Sequence, residues 1–199
     1  MRRTLDYYFA PQSPWVYLGH ARLTELLQRT NTEVRVRPAD FGHIFSVSGG
    51  LPLPQRAPQR QAYRLVELRR FSEALGVPLN PQPRHFPLPG DPSALLITAV
   101  AAHDGAAAAM RLTGAIGQAI WVQERNMADA TELAAVLAEC GLDAERLAQA
   151  QDAQTKALYA QHTREAVDAG VFGAPSYVLD GEIFWGQDRL DFVERRLAA

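Results

Sequence analysis

The sequence of 199 residues predicts an α/β fold whose sheet is assembled from the two ends of the chain. Three observations predict it: a strand–helix–strand pattern near the start, a strand–strand–helix pattern at the end, and a long helical stretch without strand signal between them. We expect residues 1–40 and 171–199 to form one discontinuous domain. Residues 41–170 are expected to form a loop followed by a helical insertion.

The first unit begins with TLDYYF at residues 4–9, a short run rich in aromatic residues that reads as a buried strand. Apolar residues then recur at helical spacing over residues 15–30. TEVRVRPAD at 32–40 alternates apolar and charged residues and ends at a proline, as a strand does. Such a unit predicts two parallel strands joined by a helix.

The central region opens with residues 41–58, which read as a loop because they contain Gly49-Gly50 and three prolines. A helix is predicted over residues 59–76, with Gly76 and the following Pro78 as its stop.

From about residue 90 to Gly170 the chain is alanine-rich and helical. Asp129, with Glu132 three residues later, predicts one helix start. Asp143 is expected to open a further helix that runs towards Gly170.

The last unit contains SYVLDGEIFW, two β-rich runs around Asp180-Gly181, which is a strong hairpin signal. QDRLDFVERRLA follows and predicts a terminal amphipathic helix. The order β-α-β, helices, β-β-α is that of a thioredoxin-like fold interrupted by a large all-helical insertion.

Composition excludes several classes of function. With 20 basic and 22 acidic residues the formal net charge is -2, so neither nucleic acid nor a membrane is expected as a partner. The single cysteine, Cys140, allows no internal disulfide or redox pair. The histidines lack metal-ligand spacing, so no metal site is predicted. We find no signal peptide and no run as long as a membrane span, and therefore expect a cytoplasmic protein.

The turn Gln12-Ser13-Pro14-Trp15 enters the first helix. A helix N-terminus favours an anion or a thiolate because its N–H groups lack intrahelical partners. Pro14 suits the first helical turn. Ser13 taken alone is most simply a helix cap.

A second segment, GVFGAPSYVLDG, carries Ala174-Pro175 immediately before a strand. An X-Pro bond in a tight turn can be cis, and a proline opening a strand is compatible with an edge position. In a thioredoxin-type fold this turn packs beside the N-terminus of the first helix. The two segments together therefore predict one site.

SPWVYLG at 13–19, PQRQAYRLVELRRFSEALGVPL at 58–79 and GVFGAPSYVLDGEIFWGQDRL at 170–190 carry a resemblance that covers essentially the whole chain. The chain resembles the 2-hydroxychromene-2-carboxylate isomerase family, which is related to kappa-class glutathione transferases and to DsbA-like oxidoreductases. DsbA-like relatives have Cys-Pro-X-Cys where this chain has Ser-Pro-Trp-Val. Disulfide chemistry at this motif is therefore excluded.

The resemblance implies glutathione as cofactor. Ser13 would hydrogen-bond the glutathione sulfur and hold it as a thiolate, which makes Ser13 the catalytic residue. The backbone of Ala174 would pair with the cysteinyl part of glutathione, and Arg60 would hold the glycyl carboxylate. The cofactor-binding positions implied in this way are Ser13, Pro14, Trp15, Gly50, Arg60, Ala174, Pro175, Gln187 and Asp188.

The roles of two of these positions, Gly50 and Asp188, and of one further residue, Arg37, can be interpreted in more than one way. Gly50 stands where kappa enzymes use an asparagine, which puts that contact in doubt. Asp188 reads equally as an N-cap. Arg37, at the end of the second strand, could hold a substrate carboxylate or be a solvated strand end.

The family reaction implied is isomerisation of 2-hydroxychromene-2-carboxylate and trans-o-hydroxybenzylidenepyruvate in aromatic-compound degradation. Glutathione thiolate would add to an enone, allow rotation about the former double bond, and leave again. The resemblance also implies a small aromatic or conjugated substrate and a homodimer. The alternatives are a kappa-like glutathione S-transferase and a non-catalytic glutathione-binding protein.

Overall fold

Four strands form one mixed sheet in the computed structural model, which describes residues 3–198. Their order across the sheet is β2–β1–β3–β4. β1 pairs with β2 in parallel and with β3 antiparallel, and β3 pairs with β4 antiparallel. The strands are β1 (Thr4–Phe9), β2 (Glu33–Pro38), β3 (Ser176–Leu179) and β4 (Glu182–Trp185).

The two predicted end units are confirmed. The helix α1 (Pro14–Arg29) connects β1 to the parallel strand β2. The turn between β3 and β4 places Asp180 and Gly181 at φ 52° and 81°, the left-handed conformations that a two-residue hairpin turn requires. β3 lies inside the sheet, so the edge position considered for the strand after Pro175 is wrong.

Seven further helices follow α1 in the described residues, with 3₁₀ turns at Leu53–Gln55 and Gln187–Arg189. They are α2 (Phe41–Ser48), α3 (Pro58–Leu75), α4 (Asp91–Trp121), α5 (Ala130–Glu139), α6 (Glu145–Gln149), α7 (Ala153–Asp168) and α8 (Leu190–Ala198).

The expectation of a loop over 41–58 is wrong, because the first half of this stretch is the helix α2. An Asp40 carboxylate oxygen accepts hydrogen bonds from the N–H groups of Gly42 and His43, at 2.8 and 3.1 Å. Gly49, at φ 77°, ends the helix in the left-handed conformation. The aspartate N-cap and the glycine C-cap are both ordinary helix signals. The many prolines and glycines in residues 41–58 led to the prediction of a loop instead.

The helix expected to run from Asp143 towards Gly170 is also interrupted. It divides into α6 and α7, because the Asp152 side chain accepts a hydrogen bond from the N–H of Thr155 at 2.7 Å and starts a new helix. The preceding helix α4 is broken as well, at Gly105, whose φ is 83°.

One apolar cluster joins the sheet to the inserted helices. Tyr7 of β1 stacks on Tyr177 of β3 at 5.5 Å between ring centroids, and both belong to the same buried cluster as Leu112 and Trp121 of α4. α4 is long and apolar enough to cross a membrane, but 61% of its most apolar window is buried within the protein, and a core helix passes the same test. The predicted division at residues 40 and 171 stays a prediction.

Candidate functional site

Two adjoining cavities lie where the N-terminus of α1 meets the turn before β3 and the helix α3. The first has a volume of about 660 Å³ and the second of about 590 Å³. They share a wall, formed by Trp15, Arg56, Arg60, Arg64, Ala174 and Trp185. The structure therefore brings the two segments singled out in the sequence, around Ser13 and Ala174, to one place.

Ser13 occupies the N-cap position of α1, with φ -74° and ψ 128°. Its side chain makes no capping hydrogen bond, and no group among residues 3–198 is a hydrogen-bond partner of its hydroxyl. The expectation that the hydroxyl caps the helix is therefore wrong. Since Ser13 lines the first cavity, its hydroxyl is available to a ligand at a helix N-terminus, where an anion is favoured.

The turn before β3 presents free backbone beside Ser13. The Ala174-Pro175 peptide bond is cis, and Ala174 lines both cavities. The carbonyl of Pro175 accepts a hydrogen bond from the N–H of Gly186 at 2.9 Å, whereas no backbone group of the described chain bonds the N–H or C=O of Ala174. An extended ligand can therefore pair with Ala174 in the manner of an added strand.

The second cavity is lined by Gln187 and Asp188. Gln187 is 2% exposed, and its Oε1 accepts a hydrogen bond from Nη1 of Arg22 at 3.0 Å. Asp188 pairs with the neighbouring Arg189 and makes no cap, so the N-cap alternative for Asp188 is wrong. The Gln187 amide retains its NH₂ donors and Asp188 its carboxylate, the groups that an ammonium and a carboxylate would need.

Gly50 and Arg60 complete the predicted set on the wall of the first cavity. A Cβ atom at position 50 would lie 2.4 Å from Cδ1 of Phe45, so the close packing of that ring requires glycine. Gly50 has no side chain to supply the contact of the kappa asparagine. Arg60 is exposed and forms no ion pair with any described carboxylate.

Arg37 does not join this site. It lines neither cavity, and its Nε donates to a carboxylate oxygen of Asp6 at 2.8 Å. Its Nη1 pairs with Glu165, and the guanidinium lies over the ring of Tyr8. Both the substrate contact and the solvated strand end considered for Arg37 are wrong, because this side chain lies outside the two cavities, pairs with two carboxylates and is only 16% exposed.

Two arginines of the cavity wall were missed in the sequence. Arg56 and Arg64 line both cavities beside Arg60. Burial, and next the charge of Arg56, lowers the pKa of Arg64 to about 10. Burial also lowers the pKa of Arg56. For Arg64 the four-residue spacing from Arg60 is the signal that could have found it, since it places both side chains on one face of α3. Arg56 precedes this helix and carries no such signal.

The remainder of the first cavity is mostly apolar and aromatic. Phe172 contacts Trp185 edge to face, with 4.8 Å between the ring centroids. A Cβ at Gly173 would lie 2.2 Å from Nε1 of Trp185, so the glycine lets that ring approach the turn. The other large apolar side chains of the lining are Phe41, Phe45, Leu51, Leu53 and Phe86.

Other reactive groups lie outside the two cavities. Burial raises the pKa of the Cys140 thiol, and this thiol lines neither cavity. His43 is exposed and also lines neither. Within residues 3–198, no group of three or more His, Cys, Asp or Glu side chains is arranged to hold a metal ion.

Comparison with known proteins gives the same fold. Residues 4–198 match the DSBA-like thioredoxin domain family. The chain is 31% identical to a 2-hydroxychromene-2-carboxylate isomerase of Sphingobium xenophagum, over 99% of both chains. It is 24% identical to a glutathione S-transferase kappa 2 of Caenorhabditis elegans, over 99% of this chain and 92% of that one.

Among solved structures, a 2-hydroxychromene-2-carboxylate isomerase superposes with a TM-score of 0.84 at 23% identity, covering 98% of this chain and 94% of that chain. The cytosolic disulfide reductase DsbM from Pseudomonas aeruginosa with GSH superposes with a TM-score of 0.70 at 23% identity, covering 98% and 100%. At these identities the structures show the fold alone. Together with the family match and the full-length relative, they establish that this chain belongs to the 2-hydroxychromene-2-carboxylate isomerase family within the DsbA-like thioredoxin-domain proteins.

Proposed function

We propose that this protein is a glutathione-dependent isomerase of an aromatic enone, of the 2-hydroxychromene-2-carboxylate type. The observation that carries the proposal is the unpartnered hydroxyl of Ser13 at the α1 N-terminus, beside the free backbone of Ala174 in a cavity lined by aromatic rings. Relatives named as isomerases over nearly the full chain support the reaction class. A cytosolic relative supports the expected cytoplasmic location.

The residues of the second cavity and of the shared wall fit glutathione. The backbone of Ala174 pairs with the cysteinyl residue, and the Arg60 guanidinium donates its forked N–H groups to the glycyl carboxylate. Gln187 and Asp188 face the space that the glutamyl end would take. Kappa-class relatives, and a relative solved with GSH, support this cofactor.

When bound, glutathione supplies a thiol whose sulfur adds to and later leaves the conjugated carbon of the enone, so that the intervening bond rotates and glutathione is returned unchanged. Ser13 donates its hydroxyl hydrogen to that sulfur, and the N–H groups of the first α1 turn add partial positive charge. Both interactions favour the thiolate over the thiol.

Arg37 takes no part in this scheme, because it lines neither cavity. The charged groups that do face the first cavity are Arg56, Arg60 and Arg64.

The test is the isomerisation of trans-o-hydroxybenzylidenepyruvate by the purified protein, followed by ultraviolet absorbance with and without glutathione. We expect turnover that requires catalytic glutathione and is inhibited by S-methylglutathione, which fills the same site without a thiolate. Turnover that is independent of glutathione would contradict the proposal. Accumulation of a stable conjugate would instead identify a transferase, and glutathione binding without turnover would identify a non-catalytic binding protein.

A further inference from the structure

The charge of the first cavity has one sign. Among its lining residues are three arginines, Arg56, Arg60 and Arg64, and no aspartate or glutamate. No described carboxylate forms an ion pair with any of the three, although the described chain contains many arginine–carboxylate pairs elsewhere. A desolvated cation without a counterion is unfavourable, so an anionic ligand would find partners here that the protein itself leaves unsatisfied.

Arg64 is the most enclosed of the three. Its guanidinium lies over the rings of Phe86 and Trp121, at 5.2 and 5.9 Å from the ring centroids. Its Nη2 is buried and has no hydrogen-bond partner. The two rings hold the guanidinium by cation–π contacts and leave the donors of the fork without a protein acceptor.

Arg56 and Arg60 differ from Arg64 in their hydrogen bonding and in their exposure. The Nε of Arg56 already donates to the carbonyl of Leu51 at 2.8 Å. Arg60 is exposed at the rim and is the residue assigned to the glycyl carboxylate of glutathione. Arg56 also lies over an aromatic ring, that of Phe45, so Arg64 differs in being half-buried without any hydrogen-bond acceptor among the described residues.

We infer that Arg64 binds the carboxylate of the second, aromatic substrate in the first cavity, with Arg56 adding positive charge beside it. The substrate class is a small aryl carboxylate whose ring lies among the phenylalanines and whose carboxylate accepts hydrogen bonds from the accessible N–H groups of the Arg64 guanidinium. Arg64 is then the residue that determines specificity for an acid over its neutral analogue. The inference rests on the proposed function, because it takes the second cavity to be filled by glutathione.

The rest of the lining agrees with a ligand of this shape. Apart from the arginines, the polar side chains of the first cavity are those of Gln12, Ser13 and Ser48. The Oε1 of Gln12 is buried without a partner. Gly90 makes room for this side chain, since a Cβ there would lie 2.3 to 2.5 Å from the Gln12 amide atoms. A ligand with one anionic end, one hydroxyl donor and an apolar body satisfies such a lining.

The experiment uses two probes of nearly equal shape, cinnamate and the neutral cinnamamide, with binding measured by calorimetry in the presence of saturating S-methylglutathione. We expect wild-type protein to prefer cinnamate. Arg64→Gln should weaken cinnamate binding by about tenfold or more, and leave cinnamamide binding unchanged at the same saturating S-methylglutathione. Arg64→Lys should retain part of the preference, because it keeps the charge but loses the fork.

Arg70→Gln is the matched control, since Arg70 is an exposed arginine on the same helix and lines neither cavity. Equal loss of both probes in Arg64→Gln, or a wild-type protein that does not distinguish the acid from the amide, would overturn the inference. These outcomes are separate from the proposed function. A protein without isomerase turnover can still show an Arg64-dependent preference for cinnamate, and an active isomerase can lack one.

Discussion

The arginines that lie away from the cavities, such as Arg125 and Arg146, differ in their partners from the arginines of the cavity wall. Arg146 makes a two-pronged pair with Asp104 at 2.7 and 3.0 Å, and Nε of Arg125 donates to Glu132 at 2.7 Å. These carboxylate hydrogen bonds raise the pKa of both arginines. Burial without a carboxylate lowers the pKa of Arg64 on the cavity wall to about 10.

The difference separates groups that stabilise the fold from groups available to a ligand. Ser13, whose hydroxyl makes no cap and has no hydrogen-bond partner within residues 3–198, belongs with Arg60 and Arg64. Arg37 pairs with Asp6 and Glu165 and therefore belongs with Arg125 and Arg146, although it was expected at the site. Variants of the two groups should therefore affect different measurements.

The largest effect should come from Ser13→Ala. We expect isomerase kcat to fall by about 100- to 1000-fold, the range found when one donor to a developing or bound anion is removed. The free energy of unfolding should change by less than about 0.5 kcal/mol, because no protein hydrogen bond is lost. Ser46→Ala, at an exposed serine outside the cavities, is the control. A variant with both normal kcat and lowered stability would reverse the assignment.

The next effect is on acid stability and comes from His162, which faces Arg37. Burial, and then the Arg37 charge, lowers the pKa of His162 to about 4 from 6.5. The unfolded chain therefore takes up a proton at His162 at a higher pH than the folded protein does. The free energy of unfolding that this histidine contributes is fully present above pH 6.5 and is lost as the pH falls towards 4. The full loss is about 3 kcal/mol at most.

Urea unfolding of His162→Gln at about pH 7 and about pH 4.5 measures this contribution. We expect the variant to lose less of its free energy of unfolding between the two than the wild type does. His20, whose pKa burial also lowers to about 4, contributes equally to both proteins. His43→Gln, at an exposed histidine, should behave as wild type, and an unchanged pH dependence in His162→Gln would refute the account.

A smaller loss of stability should follow from Arg37→Gln. Removing the guanidinium leaves Asp6 and Glu165 without their shared counterion, and we expect unfolding free energy to fall by about 1–3 kcal/mol. Calorimetric melting measures the loss, while kcat measured well below the melting temperature should stay at the wild-type value. A fall in kcat without a fall in stability would return Arg37 to the site.

The smallest effect should be that of Arg60→Gln on glutathione affinity. We expect about tenfold weaker binding, since one charge-assisted contact at an exposed position is lost. Glutathione esterified at its glycyl carboxylate should bind the wild type and the variant equally, which calorimetry can show. If the ester still distinguished the two proteins, Arg60 would act on another part of the ligand.

Local signals in the sequence predicted most of the fold. The hairpin at Asp180-Gly181, the helix stop at Gly76 and the alternation of β2 depend on neighbouring residues, and the structure confirms them. The helix α2 was missed because Gly49, Gly50 and the following prolines were read as loop signals for the whole stretch, whereas Gly49 ends the helix and the prolines come after it.

The site was predicted where its residues share a motif and missed where they meet only in space. Ser13 and Ala174 each carry a recognisable turn, and a known fold brings such turns together. Arg37 was misassigned because its partners Asp6 and Glu165 are 31 and 128 positions away in the chain, and no local pattern shows that they reach it. Arg64 was missed because it is distinguished by having no carboxylate partner, and this depends on all the residues that line the first cavity.

The most direct test of the account is the thiol pKa of bound glutathione, titrated through the ultraviolet absorbance of its thiolate. Cys140→Ser protein serves as the background, because this substitution removes the protein's only thiol, so that the absorbance reports on glutathione. We predict a pKa below about 7 for bound glutathione, against about 8.5 for a free thiol, and a return towards the free value in Ser13→Ala. Equal pKa values with and without the Ser13 hydroxyl would contradict the central claim that this residue holds the sulfur as a thiolate.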